Sequence, residues 1–324
     1  MGIRLSAKAA IKQEVICPLS LSPEVVLLET VRSSDLNKLY KKTLGVDVSG
    51  ETAGFGEIGF YHCPASDLRF FHPMPAGSEQ FYENLQKIDW YYDNEKQEHG
   101  FASRWIAGTD HVLEIGCGTG LFAQKIKSPY YVGLELSRKA KEAAAARGIP
   151  VLTEPIEEHA AAHPGLYDVV CAFQVLEHVV GIRSFIQGSL ECLKPGGLMI
   201  YSVPSAESYM TVARNVALNL PPHHASWWTD RSLRNIAELF GIQLVEIRHD
   251  RLSDTEKRRY SQVLIMEALK SALGYRCRSI LIDRSPVHRL LSNAAALAAR
   301  FLERGFEQGN LLPYGFSETA IYRK

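Results

Sequence analysis

A doubly wound α/β fold built on a mostly parallel sheet is what this sequence predicts, and three observations predict it. Between residues 101 and 250, short β-type runs alternate with helical stretches. One run, Tyr167–Phe173, is almost continuously apolar, as a strand covered on both faces must be. A glycine-rich turn, Gly116-Cys117-Gly118-Thr119-Gly120, stands where a strand gives way to a helical stretch. The two ends of the chain depart from this rhythm. Residues 1–100 read as a small irregular N-terminal domain, and 101–324 as the main domain. Within the latter, 251–310 form a helical insertion ahead of a final strand, Phe316–Tyr322.

Each element has a local reason. His111–Ile115 and Tyr130–Leu134 are short apolar runs predicted as strands, with Leu121–Lys127 predicted helical between them. Ser137 offers a side-chain cap for a helix reaching Arg147, and Gly148 supplies the residue that stops it. Pro150–Thr153 reads as a short strand. Ile182–Leu193 reads as a helix stopped by Lys194-Pro195-Gly196-Gly197, and Leu198–Val203 as the strand after it. Thr229–Phe240 and Gln243–Arg248 form the next helix–strand pair.

The 324 residues carry 36 Lys+Arg and 36 Asp+Glu, a formal net charge of zero. That balance lacks the basic footprint of a nucleic-acid binder and directs attention to a small or carrier-linked partner. No apolar run reaches the ~18 residues a bilayer span requires, and residues 1–15 lack the apolar core of a secretory signal. Six scattered cysteines with no CxxC pair fit a reducing compartment, so a cytoplasmic protein is expected.

The glycine turn follows Val112-Leu113-Glu114-Ile115. Glycines at a strand-to-helix turn let the backbone bend tightly and approach a ligand closely. The spacing is G-x-G-x-G, not the G-x-G-x-x-G of a dinucleotide site. The next strand ends in Gly133-Leu134-Glu135, and an acid there accepts hydrogen bonds from both hydroxyls of an unphosphorylated ribose.

These residues, together with Tyr167-Asp168-Val169-Val170, Val175-Leu176-Glu177-His178-Val179 and Leu193-Lys194-Pro195-Gly196-Gly197, resemble the class I S-adenosylmethionine-dependent methyltransferases in order and spacing. The stretch Glu154-Pro155-Ile156-Glu157-Glu158-His159-Ala160 also resembles the ubiquinone-biosynthesis O-methyltransferases. The resemblance implies a Rossmann-like, seven-stranded sheet whose last strand is antiparallel, and S-adenosyl-L-methionine as cofactor. It implies that Gly116, Gly118 and Gly120 shape the wall behind the methionine and ribose, and that Glu114 helps hold the methionine end. Glu135 would bind the ribose hydroxyls, Leu136 and Ile156 would sandwich the adenine, and Gln174 would lie beside the sulfonium. Where many relatives carry an acid for the adenine amino group this chain has Pro155, which leaves Glu154, Glu157 or backbone amides for that role.

Methyl transfer depends on orientation, and a hydroxyl acceptor also benefits from a general base. His178, His223 and His224 are the candidates; the last two lie in Leu220-Pro221-Pro222-His223-His224-Ala225-Ser226-Trp227-Trp228, beyond the fifth strand. Which of the three serves is left open. The chain has Ala172-Phe173-Gln174 where base- or amide-N-methylating enzymes carry an Asn-Pro-Pro-Tyr-type motif. That absence leaves a small molecule, or a small group on a larger carrier, and the resemblance implies O-methylation of a small-molecule or glycan- or lipid-linked acceptor. N- or C-methylation of a metabolite and an inactive cofactor-binding partner are the alternatives.

Two N-terminal segments, Cys17-Pro18-Leu19-Ser20 and Cys63-Pro64-Ala65-Ser66, look like zinc-ribbon knuckles that have each lost a cysteine. Structural zinc takes four ligands, so a degenerate ribbon without metal is expected. Tyr91, Tyr92 and Lys96 are candidates for a lid over the cofactor. Arginines in the insertion, Arg259 among them, point either to a solvated face or to a cap over the acceptor.

Overall fold

A computed structural model of the chain describes residues 14–88, 96–277, 279–302 and 314–324. The N-terminal part, expected to be irregular, holds regular structure. Strand β1 (Val26–Arg32), helix α1 (Ser33–Leu44), strands β2 (Glu57–His62) and β3 (Arg69–His72) and helix α2 (Glu79–Leu85) follow in order. The sequence hides β1 because it is an edge strand: Val26, Leu27 and Leu28 are all exposed, so its apolar residues do not alternate. Gly45, at φ +72°, ends α1 in the left-handed conformation.

The main run begins with α3 (Gln97–Ala102) and β4 (Val112–Ile115). It continues through β5 (Tyr131–Leu134), α4 (Arg138–Ala145), β6 (Val151–Leu152), α5 (Ile156–Ala162), β7 (Tyr167–Phe173) and α6 (Ile182–Cys192). Then come β8 (Leu193–Pro204), β9 (Ser226–Trp227), α7 (Asp230–Phe240), β10 (Gln243–Arg251), α8 (Asp254–Ala272), α9 (Pro286–Leu302) and β11 (Tyr314–Arg323). Seven strands form one sheet in the order β10-β11-β8-β7-β4-β5-β6. β11 runs antiparallel to both neighbours, and the other pairings are parallel. The fold is the Rossmann-like seven-stranded architecture that the sequence predicts. Consecutive strand residues bury into opposite clusters: Leu113, Val170 and Tyr201 into one, Val112, Val169 and Ile200 into the other. That is the signature of a sheet covered on both faces.

Local expectations differ in two places. Leu121–Lys127 forms turns with a single 3₁₀ turn at Ala123–Lys125, not a helix. The segment is short, enclosed by Gly120 at φ +76° and by Ser128-Pro129, and too few residues remain to repay helix nucleation. The Lys194-Pro195-Gly196-Gly197 stop is drawn into β8, which pairs from Leu193 onward. The Ser137 cap does form, its side chain accepting from the Ala140 amide, and Thr229 closes a reciprocal capping box on α7 with Ser232.

Strands β1-β2-β3-β9 make a second, antiparallel sheet. Its fourth strand comes from residues 226–227, far along the chain, and pairs with Arg69 and Phe70. Cys17, Leu19, Cys63 and Phe70 share one core with Leu113, Val170 and Trp228 of the main domain. The two knuckles face each other. Cys17 Sγ lies 3.3 Å from Ser66 Oγ, and Ser20 Oγ lies 3.3 Å from Cys63 Sγ, so the two serines stand beside the two buried thiols. Among the described residues, no helix is long and apolar enough to cross a membrane.

Candidate active site

The carboxyl ends of β4, β5 and β7, the edge where ligands gather in doubly wound sheets, open into a cavity of about 1290 Å³. Gly116 and Gly118 border it, with φ of +70° and +53°. A side chain on Gly116 would strike Val175, whereas one on Gly118 would point into open space with nothing within 4 Å. Gly118 therefore leaves room for a ligand, and Gly116 lets the loop pack on the strand β7 exit. Gly120 does not border the cavity. A Cβ there would fall 2.4 Å from Ile149, so Gly120 packs closely behind the loop and shapes the wall from behind, where Gly118 borders the cavity itself.

Glu135 is held from two sides. The Gly118 amide donates to one carboxylate oxygen at 2.9 Å and the Ser137 amide to the other at 2.7 Å. Both bonds fix the carboxylate at the cavity edge while each oxygen keeps a second lone pair for a ribose hydroxyl. Leu136, 64% exposed, stands at the rim, and Ile156 is buried in the wall. Glu114 is buried and accepts from the Tyr131 hydroxyl; burial pushes its carboxyl up to about 8. Glu154 is taken by His159 Nδ1 at 2.6 Å, and Glu157 accepts from Ser184 at 2.8 Å.

Gln174 adopts φ +57°, a strained value for a non-glycine residue, and its amide donates to Ser317 at 3.1 Å and reaches Glu98 and Ser202 at 3.4 Å. Glu98 and Asp250 border the cavity beside it, and burial together with Glu98 raises Asp250 to about 8. Sequence reasoning missed Glu98, Asp250 and Ser317, because they arrive from α3, β10 and β11 and carry no motif.

The three histidines come together, as one ring nitrogen of each lies within 4.8 Å of the others. All three border the cavity. His178 Nδ1–H donates to the His223 carbonyl, and His223 Nδ1–H donates to the Leu218 carbonyl at 2.8 Å. The first bond places the His178 lone pair on Nε2. That atom lies 3.5 Å from the Glu177 carboxylate, and His224 Nε2 lies 4.0 Å from the same oxygen. Glu177 Oε2 is buried and has no hydrogen-bond partner among the described residues. Burial pushes Glu177 up to about 8 and His178 down to about 4; His223 and His224 are driven well below the usual range by burial and by their ring neighbours. His178 is the half-buried member of the trio. Glu177 belongs to the Leu-Glu-His-Val motif but its role depends on contacts the sequence does not show.

The insertion forms part of the same cavity: Arg259, Gln262 and Met266 of α8 and His288 of α9 border it. Lys96 borders it as well, whereas Tyr91, Tyr92 and Arg278 lie outside the described residues.

A family model described as a methyltransferase domain matches residues 79–247, just over half of the chain. The chain belongs to this methyltransferase family. Its cofactor is S-adenosyl-L-methionine, and the open space over Gly118 beside a doubly held Glu135 fits an adenosyl group. Ubiquinone biosynthesis O-methyltransferases are similar over a shorter span. That of Pectobacterium carotovorum is 37% identical over 99 residues, 28% of this chain and 41% of that protein. The protein from Escherichia coli O139:H28 gives the same figures. The chain thus spans about two-fifths of the length of these curated relatives. A solved S-adenosylmethionine-dependent methyltransferase from Archaeoglobus fulgidus matches with a TM-score of 0.49 and 17% identity, over 75% of this chain and 100% of that one.

Proposed function

We propose that this family member transfers a methyl group from S-adenosylmethionine to a hydroxyl oxygen of a small-molecule or carrier-linked acceptor, with His178 taking the hydroxyl proton. One observation carries the reading: a single cavity joins the Gly118–Glu135 ribose seat to the Glu177–His178–His224 cluster. When bound, S-adenosylmethionine supplies an activated methyl on a sulfonium. The chain supplies the rest. Glu135 and Leu136 orient the adenosyl end, and Gln174, fixed by Ser317 and Glu98, presents a polar surface near the reaction centre. His178 is held in the tautomer whose Nε2 can accept a proton, and Glu177 faces the imidazolium that then forms. The acceptor O–H bond would break toward His178 as the O–C bond forms and the donor's methyl–sulfur bond breaks, with S-adenosylhomocysteine as the leaving group.

The nearby ionisable groups are Tyr82 on α2, Lys96, Glu98 on α3, and His223 and His224. With Glu177 near 8, a larger fraction is ionised as pH rises through that value, so kcat/KM rises between pH 7 and 9 and Glu177→Gln flattens the rise. His178→Ala lowers kcat by roughly 10²–10⁴-fold while binding of S-adenosylhomocysteine, measured by calorimetry, stays within a factor of about two. Unchanged turnover in His178→Ala would remove the base role. A folded protein that fails to bind S-adenosylhomocysteine would remove the reading as a whole.

The contribution of α8 and α9 to the cavity wall supports the cap reading of the insertion over a plain solvated face. Screening acceptors with labelled cofactor identifies the substrate, and an acceptor methylated only at nitrogen or carbon would replace the hydroxyl assignment.

A further inference from the structure

On the opposite side of β11 from the cavity, four potential ligands converge from four elements. Glu318 lies next to the cavity-lining Ser317, and successive strand residues face opposite ways. Glu318 pairs in register with His249 of β10. Asp230 opens α7, and Glu207 follows the end of β8. Each offers one oxygen or nitrogen, and these atoms all lie within 4.8 Å of one another.

The cluster is electrostatically incomplete. The Glu318 side chain is 0% exposed, and among the described residues neither of its carboxylate oxygens makes a hydrogen bond of good geometry, although Ser205 and Asp230 lie close enough to act on it. Asp230 Oδ1 meets His249 Nε2 at 2.8 Å, while His249 Nδ1 is buried and makes no hydrogen bond among the described residues. Among the described residues, the His249 ring is the only basic group paired with any of these carboxylates, at 2.8 Å from Asp230 and 3.6 Å from Glu318. Three carboxylates against one imidazole leave a deficit of positive charge, and a buried carboxylate without compensation is costly. Tyr314 stacks on the His249 ring, with centroids 4.0 Å apart, and holds it in the cluster.

We propose that Glu207, Asp230, His249 and Glu318 form a structural site for one divalent transition cation of the zinc or manganese kind. Three carboxylate oxygens and one imidazole nitrogen are the donor set such ions accept. A tetrahedral ion with bonds of about 2.1 Å holds its ligands about 3.4 Å apart, so atoms now up to 4.8 Å apart would draw in and the 2.8 Å contact between Asp230 and His249 would open. The cation would join β10, β11 and α7 to the segment after β8, which leads into Tyr209 and Met210 of the cavity wall.

The test needs no methyl acceptor. Full-length, tag-free protein is stripped with chelator, dialysed against zinc or manganese chloride, and analysed for bound metal and thermal midpoint. The expected result is retained metal and a raised midpoint in the parent protein. Glu318→Gln and His249→Ala each lose one equivalent relative to the parent, and the exposed Glu207→Gln, which leaves the fold intact, weakens affinity by about tenfold or more. Metal content and midpoint shift unchanged in all three variants, or no midpoint shift in the parent with either ion, would overturn the proposal. Glu318, which burial and Asp230 push up to about 9, would then be balanced by a shared proton.

Discussion

Glu177 and Glu114 show how much the burial of single residues sets the behaviour of this site. Both carboxyls rise from an ordinary value of 4.5 to about 8, chiefly through loss of water. The folded protein therefore holds protons that the unfolded chain releases between about pH 4.5 and 8. Folding stability falls as pH rises through that window. Urea denaturation at several pH values should show the decline, and Glu177→Gln should reduce its slope. Gly118 and Gly120 separate by the same kind of local reasoning. Gly118→Ala meets open space but a strained φ of +53°, so it costs about 1 kcal/mol of stability and weakens S-adenosylhomocysteine binding. Gly120→Ala drives a methyl into Ile149 and lowers the thermal midpoint more, a comparison that calorimetry of the two variants makes directly.

At the scale of elements, α7 carries the clearest prediction. Thr229 caps it reciprocally with Ser232, and its hydroxyl also donates to Asp67, just past the second knuckle, at 2.7 Å. Thr229→Ala removes a cap and a charge-assisted bond together, and chemical denaturation should register a loss of about 1–2 kcal/mol. The start of this helix at Thr229 was readable in the sequence; that Thr229 is its cap, and that it bonds to Asp67, 162 residues away, appears only in the structure. Strand β7 was equally legible, its apolar run marking both ends at Tyr167 and Phe173. Strand β9, two residues long, was invisible, since it exists only through pairing with β3. The expected helix at Leu121–Lys127, read from its place between two strands, did not form, because the short span between Gly120 and Pro129 forbids it.

For the whole molecule, the shared core predicts that the N-terminal residues are not dispensable. Cys17, Leu19, Cys63 and Phe70 pack against the main sheet, and Ser226–Trp227 complete the N-terminal sheet. A chain beginning at residue 79, where the family match begins, would expose that surface. It should be recovered insoluble or lose its cooperative thermal transition, and a soluble, cooperatively folding fragment would show that the two sheets are independent.

The sequence by itself determined the succession of strands in the main sheet, the glycine loop, the acidic Glu135 at a strand tip and the candidate histidines. These are local features: a turn, a strand tip and a run of alternating elements write themselves into neighbouring residues. Only the tertiary structure decided that Glu177 stands against His178 and His224, that α8 and α9 wall the cavity, and that Glu318 meets His249, Asp230 and Glu207. Burial and charge crowding arise between segments far apart in the chain, and no spacing within one segment encodes them.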